Sequence, residues 1–133
     1  MLLLFWDIKE KPEVKKKIAR KLSELEKKIR KSNKEIARVI FTDAKKIRDL
    51  NKFYRKNDKD TDVLSFAELD TKNKFLKEEK TLGEIYINYD WIKNGKREFV
   101  ELFIHGYLHL LGYYHEKDQG EMKKLEKKLR ELV

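Results

Sequence analysis

Between Lys96 and Leu111 the sequence is apolar nearly all the way round a helix, with Phe99, Val100, Leu102, Phe103, Ile104, Leu108 and Leu110. A helix that is hydrophobic on more than one stripe is stable in water only when other elements cover it on several sides. The fold must therefore be built around this segment. The same segment carries His105 and His109, and the third and last histidine of the chain, His115, follows at once. The most constrained element is thus also the most chemically distinctive one.

The rest of the chain reads as its cover. Residues 2 to 8 are short and apolar and predict a buried strand. Pro12 suits the first turn of a helix. Val14, Ile18, Leu22, Leu25 and Ile29 then recur at steps of four and three, predicting one apolar stripe from about Pro12 to Lys31, ended by Ser32-Asn33. Glu35 to Thr42 alternates as a second strand, and Thr42 or Asp43 is placed to cap a helix reaching about Tyr54. A polar loop over residues 55 to 62 leads to a short strand, Val63 to Phe66. Residues 70 to 80 are charged and aperiodic and predict an exposed connection. Leu82 to Asn88 predicts a fourth strand, Tyr89 to Asn94 a helical turn stopped by Gly95. Met122, Leu125, Leu129 and Leu132 predict a closing amphipathic helix. The expected architecture is α/β (α+β): a single mixed sheet of about four strands packed with about five helices, in one domain spanning residues 1–133.

His105 and His109 are four apart on the predicted helix, so their imidazoles project from one face about a turn apart and can share a metal ion. His115 on a continuing helix would point away. Gly112 can adopt the left-handed conformation that ends the helix, which lets His115 fold back as a third ligand. Three ligands leave a fourth position open, the pattern of a catalytic zinc site. With no cysteine in the chain, thiolate sites and disulfides are excluded, and one zinc ion per chain held by His105, His109 and His115 is the expectation. The spacing resembles that of zinc peptidases with the pattern His-Glu-x-x-His-x-x-Gly-x-x-His. The glutamate that serves those enzymes as general base is Gly106 here, which argues against peptide hydrolysis.

Charge adds a second constraint. Charged residues make up 43% of the chain and the net charge is +9. A Lys- and Glu-rich surface of this kind is typical of proteins from hot environments. Residues 9 to 38 carry thirteen Lys or Arg against five Glu, and residues 43 to 60 seven basic against four acidic side chains. Such an imbalance favours a polyanionic partner, with a solvated lysine-rich face as the alternative. No apolar run approaches the ~18 to 20 residues of a membrane span, and the short N-terminal run lacks the features of a signal peptide. The expected location is the cytoplasm, with no membrane and no disulfide partner. Trp6 and Trp91 are expected in the core.

Taken together, these residues resemble the YbeY family of bacterial endoribonucleases. The resemblance rests on His105-Gly106-Tyr107-Leu108-His109-Leu110-Leu111-Gly112-Tyr113-Tyr114-His115, on Leu50-Asn51 through Tyr54-Arg55, Asp58 and Thr61-Asp62-Val63-Leu64-Ser65-Phe66, and on Leu82-Gly83-Glu84-Ile85. One position departs: Tyr114 stands where the family usually has Asp. The resemblance implies a metal-dependent RNase preferring single strands. It implies action on rRNA precursors near the 3′ end of the small-subunit RNA, a role in ribosome quality control, and contact with small-subunit ribosomal proteins. It also implies a functional role for Arg55, whose guanidinium can clamp a phosphate and stabilise developing charge. From sequence alone, a surface ion pair with Asp58 or Asp60 competes with that role. Lys46, Lys52 and Lys56 are candidate phosphate contacts. Asp62 and Ser65 are candidates for shaping the pocket. The rival readings are another metallohydrolase and a non-catalytic ribosome-assembly factor containing a metal.

Overall fold

A computed structural model describes residues 1–30, 35–67, 81–113 and 120–131. Tyr114, His115, Ser32-Asn33, Leu132 and the connection expected over residues 70 to 80 lie outside the described residues.

Four strands and five helices are seen among the described residues: β1 (Leu2–Trp6), α1 (Pro12–Ile29), β2 (Ile36–Thr42), α2 (Ala44–Arg55), β3 (Val63–Ala67), β4 (Thr81–Asn88), α3 (Tyr89–Lys93), α4 (Phe99–Leu110) and α5 (Glu121–Glu131). The strands form one mixed sheet in the order β1-β2-β4-β3. β1, β2 and β4 run parallel, and β3 pairs antiparallel to β4, with Ser65 opposite Ile85. The expected mixed α+β architecture is therefore the one observed. One detail differs: β1 was expected to be buried, yet it forms an edge of the sheet and is only half covered. Its apolar run reflects one well-packed neighbour rather than two. No helix among the described residues is long and apolar enough to cross a membrane.

Alternation along the strands gives the sheet two apolar faces. Ala37, Val39, Phe41, Ile85 and Ile87 meet Ile18, Leu22 and Leu25 of α1, Leu102, Phe103, Ile104 and Leu108 of α4, and Met122 and Leu129 of α5 in the main core. On the other face, α2 packs against β3 and β4, with Ile47 fully buried. The predicted cap is realised at α2, where the Asp43 carboxylate accepts from the Lys46 amide at 2.8 Å. Asp90 of α3 adds a second cap to the same helix end by accepting from the Ala44 amide at 2.8 Å.

Helix α4 is the centre of the main core, as its composition demands. It begins at Phe99 rather than Lys96, because Gly95 at φ +77 and the following bend precede it. Its last residue is Leu110, and Gly112 adopts φ +98 just beyond, as required for a glycine-terminated helix. On the far side of α4, the buried Tyr107 hydroxyl donates to the buried Glu26 of α1 at 3.0 Å. That bond fixes the rotation of α4 about its axis.

Candidate functional site

Over residues 101–110 of α4, the positions not fully buried are Glu101, His105 and His109. They are four apart, so they form one stripe, facing away from the core. The His105 and His109 rings lie 4.4 Å apart, centroid to centroid, and are tilted by 43°. His109 Nε2 is shielded from solvent. Behind His105, the carboxylate of Glu126 on α5 stands 3.4 Å from Nδ1. A carboxylate in that position can orient the ring of a metal-ligating imidazole. Glu101 is engaged by Arg97 at 3.6 Å and by Arg130 at 2.6 Å.

Gly106, between these imidazoles, has a structural task. A Cβ placed on it would lie 2.7 Å from Ile85 Cγ2 and 3.0 Å from the Ser65 hydroxyl. The glycine thus lets α4 settle directly on β3 and β4, which carries His105 and His109 close to the sheet's β3 edge. No side chain of glutamate size has room at this position.

A cleft of about 220 Å³ opens where α4, β3 and the loop after α2 meet. His105, His109, Arg55, Asn51, Lys59 and Ser65 all line it. Arg55 ends α2, on the opposite face of the sheet from α4, and reaches the cleft around edge strand β3. Its Nη2 donates to the Ser65 carbonyl at 3.0 Å, and its guanidinium lies 5.5 Å from the Phe66 ring centre. The ion pairs that competed for Arg55 do not form. Asp58 pairs instead with Arg48 at 2.8 Å, and that hydrogen bond holds its carboxyl below the usual carboxylate range. Asp60 accepts from Trp91 Nε1 at 2.9 Å and from Asn88.

The three candidate lysines stand differently. Lys46 sits in the first turn of α2, roughly 14 Å along the helix axis from Arg55 at 1.5 Å per residue. Lys52 and Lys56 are exposed at the Arg55 end, with Lys52 3.9 Å from Asp58. None of the three lines the cleft, whereas Lys59 does. Asp62 pins the cleft's frame: it accepts from the Val63 amide at 2.8 Å and from Arg97 just before α4. Asn51 is buried, and its Nδ2 donates to the Lys59 carbonyl at 2.9 Å, folding the loop under the cleft. Two residues were not singled out from sequence, and Asn51 was named only as part of the family pattern, without a role. Lys59 and Glu126 are lost among many similar charges. Only packing selects them.

Among the described residues no three His, Asp or Glu side chains converge into a complete metal centre. Two imidazoles one turn apart, one of them backed by a carboxylate, suit a zinc ion as part of a ligand set. The expected third ligand, His115, lies outside the described residues.

The fold and the cleft define an α+β domain in which two imidazoles and a guanidinium line one cleft beside edge strand β3. The sequence model of the endoribonuclease YbeY family matches residues 6–133. An endoribonuclease YbeY from Nitratiruptor is 44% identical over 99 residues, covering 68% of this chain and 65% of that one. One from Campylobacter jejuni is 42% identical over 99 residues, covering 68% and 70%. The solution structure of a Thermotoga maritima protein superposes with a TM-score of 0.61 at 31% identity, covering 98% of this chain and 87% of that one. The chain belongs to the endoribonuclease YbeY family.

Proposed function

We propose that the protein is a zinc-dependent endoribonuclease that prefers single strands. Its proposed substrates are rRNA precursors near the small-subunit 3′ end, in ribosome maturation and quality control in the cytoplasm, with small-subunit ribosomal proteins as partners. One observation supports this reading above the others: Arg55 and the His105–His109 pair line the same cleft although they come from opposite faces of the sheet.

His105, His109 and His115 would hold the ion, one per chain. Bound there, zinc supplies Lewis acidity for a phosphoryl oxygen and brings the pKa of water toward neutrality. The protein's own part is positional. The Ser65 carbonyl occupies one N–H of Arg55, so the remaining donors of the fork are available to a phosphate. Charge developing on phosphoryl oxygens would be met by that guanidinium without reorganisation. Lys59 at the cleft, with Lys52 and Lys56 beside it, would attract the backbone of the strand. Lys46 would act only at a distance. The tight seat of Gly106 on Ile85 speaks against a peptidase.

The test measures bound metal and RNA cleavage together in wild type, His109→Ala and Arg55→Ala. His109→Ala should lose both, whereas Arg55→Ala should keep metal and lose cleavage. Full metal content in His109→Ala would refute the ligand assignment. Unchanged cleavage in Arg55→Ala would remove that residue from the mechanism. Wild-type protein that holds metal but cuts no RNA would point to an assembly factor instead.

A further inference from the structure

Beside the cleft lies a surface that the metal chemistry does not use. The end of α2 reads Lys52-Phe53-Tyr54-Arg55-Lys56. Phe53 is 77% exposed and Tyr54 is 59% exposed. They are not isolated. Phe53 meets Tyr54 edge-on with centroids 4.8 Å apart, Tyr54 tilts against Phe66 at 5.1 Å, and Phe66 meets Tyr86 edge-on at 5.9 Å. The Arg55 guanidinium closes the row over Phe66. Scattered exposed apolar residues mean little, but a contiguous aromatic patch marks a binding surface.

Charge decides which occupant fits. Three cations, Lys52, Arg55 and Lys56, interleave with the two most exposed rings, and Arg55 also lines the cleft. An apolar protein partner would have to bury these charges against its own surface, at a cost in desolvation. A single-stranded nucleic acid brings phosphates for the cations and bare base faces for the rings. A duplex hides those faces inside its own stack. The near-perpendicular setting of Phe53 and Tyr54 leaves each ring a separate open face, which suits bases that have been splayed apart.

We infer that Phe53 and Tyr54 form a base-stacking subsite that receives the unpaired bases next to the phosphate held by Arg55. This rests on the nuclease reading and adds to it the groups that distinguish single strands from duplexes.

The experiment measures, by fluorescence anisotropy, binding of the full-length, metal-loaded protein to two labelled strands of equal charge. One is a cleavage-resistant 2′-O-methyl single strand, and the other is its abasic counterpart. Tyr54→Ala and Phe53→Ala should each weaken binding of the base-bearing strand about thirtyfold, the middle of the range for one lost stack. Neither should change binding of the abasic strand. Tyr54→Trp should bind the base-bearing strand at least as well as wild type. Equal losses on both strands, or no loss on either, would overturn the inference. So would Phe53→Ala dissolving a self-associated form in sedimentation while RNA binding stays intact, because the patch would then join copies of this chain. If wild type binds neither strand and cuts no RNA, the nuclease reading fails and this inference with it. If wild type binds and cuts and the variants match it, only the stacking inference fails.

Discussion

At the level of single residues, the imidazoles were legible because histidine is scarce in this chain and its spacing carries geometry. Glu126 was not. It is one of several glutamates on a Lys- and Glu-rich amphipathic helix, and only the packing of α5 on α4 brings it to His105 Nδ1. Carboxylates placed behind ligating imidazoles typically strengthen metal binding 10- to 100-fold. With zinc held as proposed, Glu126→Ala should therefore weaken its binding by a factor of about 10 to 100, read by competition with a chromogenic chelator, while the melting temperature of the metal-free protein stays near that of wild type. Affinity equal to wild type would remove Glu126 from the site. Arg55 was half legible: the family pattern pointed to it, but its surroundings allowed an ion pair. The structure resolves the competition through the other partners of Asp58 and Asp60.

At the level of elements, hydrophobic period and caps placed every strand and helix of the described residues, with small shifts at the ends. What they could not give was which face of the sheet each helix covers. Arg55 shares a cleft with the imidazoles only because β4 lies between β2 and β3, leaving β3 at the edge for α2 to reach around. Gly106 shows a second limit. In sequence it is a missing base; in the structure it is the contact that sets the helix-to-sheet distance. Gly106→Ala should destabilise the fold by about 1–3 kcal/mol, the usual range for overpacking, as a lower denaturation midpoint with an unchanged slope. If the midpoint does not move, Ile85 can yield and the close seat is not required. Asp43→Ala removes the side-chain cap of α2 and should cost about 1 kcal/mol. Asp90 still accepts from the Ala44 amide, so a loss well above about 2 kcal/mol would mean that Asp43 does more than cap.

At the level of the whole molecule, the layers are tied together by buried or half-buried phenols bonded to carboxylates. Tyr107 donates to Glu26 and Tyr89 to Glu10 at 2.6 Å, whereas the Tyr86 bond to Glu84 at 2.8 Å stays within β4. Burial, reinforced by the neighbouring carboxylate, pushes all three phenols above the usual tyrosine range. The native state thus holds these protons more tightly than the unfolded chain does. Their contribution to stability is complete below about pH 10 and is lost as pH rises through the higher folded-state values. Tyrosinate absorbance followed with circular dichroism should show part of the six tyrosines ionising only as the fold is lost. All six titrating near pH 10 in an intact fold would contradict this.

The Arg55–Ser65 bond has a meaning beyond the role proposed for Arg55 in the cleft. Strand β3 is a margin of the sheet among the described residues, and unpaired backbone carbonyls on such a margin invite another chain to add a strand, the first step toward aggregation. A guanidinium seated on the Ser65 carbonyl acts as a gatekeeper there. Arg55→Ala should accordingly scatter more light on storage than wild type at equal concentration, and so should Arg55→Gln if its amide cannot span to the carbonyl. Samples that stay as clear as wild type would show that the margin is guarded by other means. The same side chain would then serve two ends: it would draw in one kind of polymer, a strand of RNA, and turn away another, a second polypeptide.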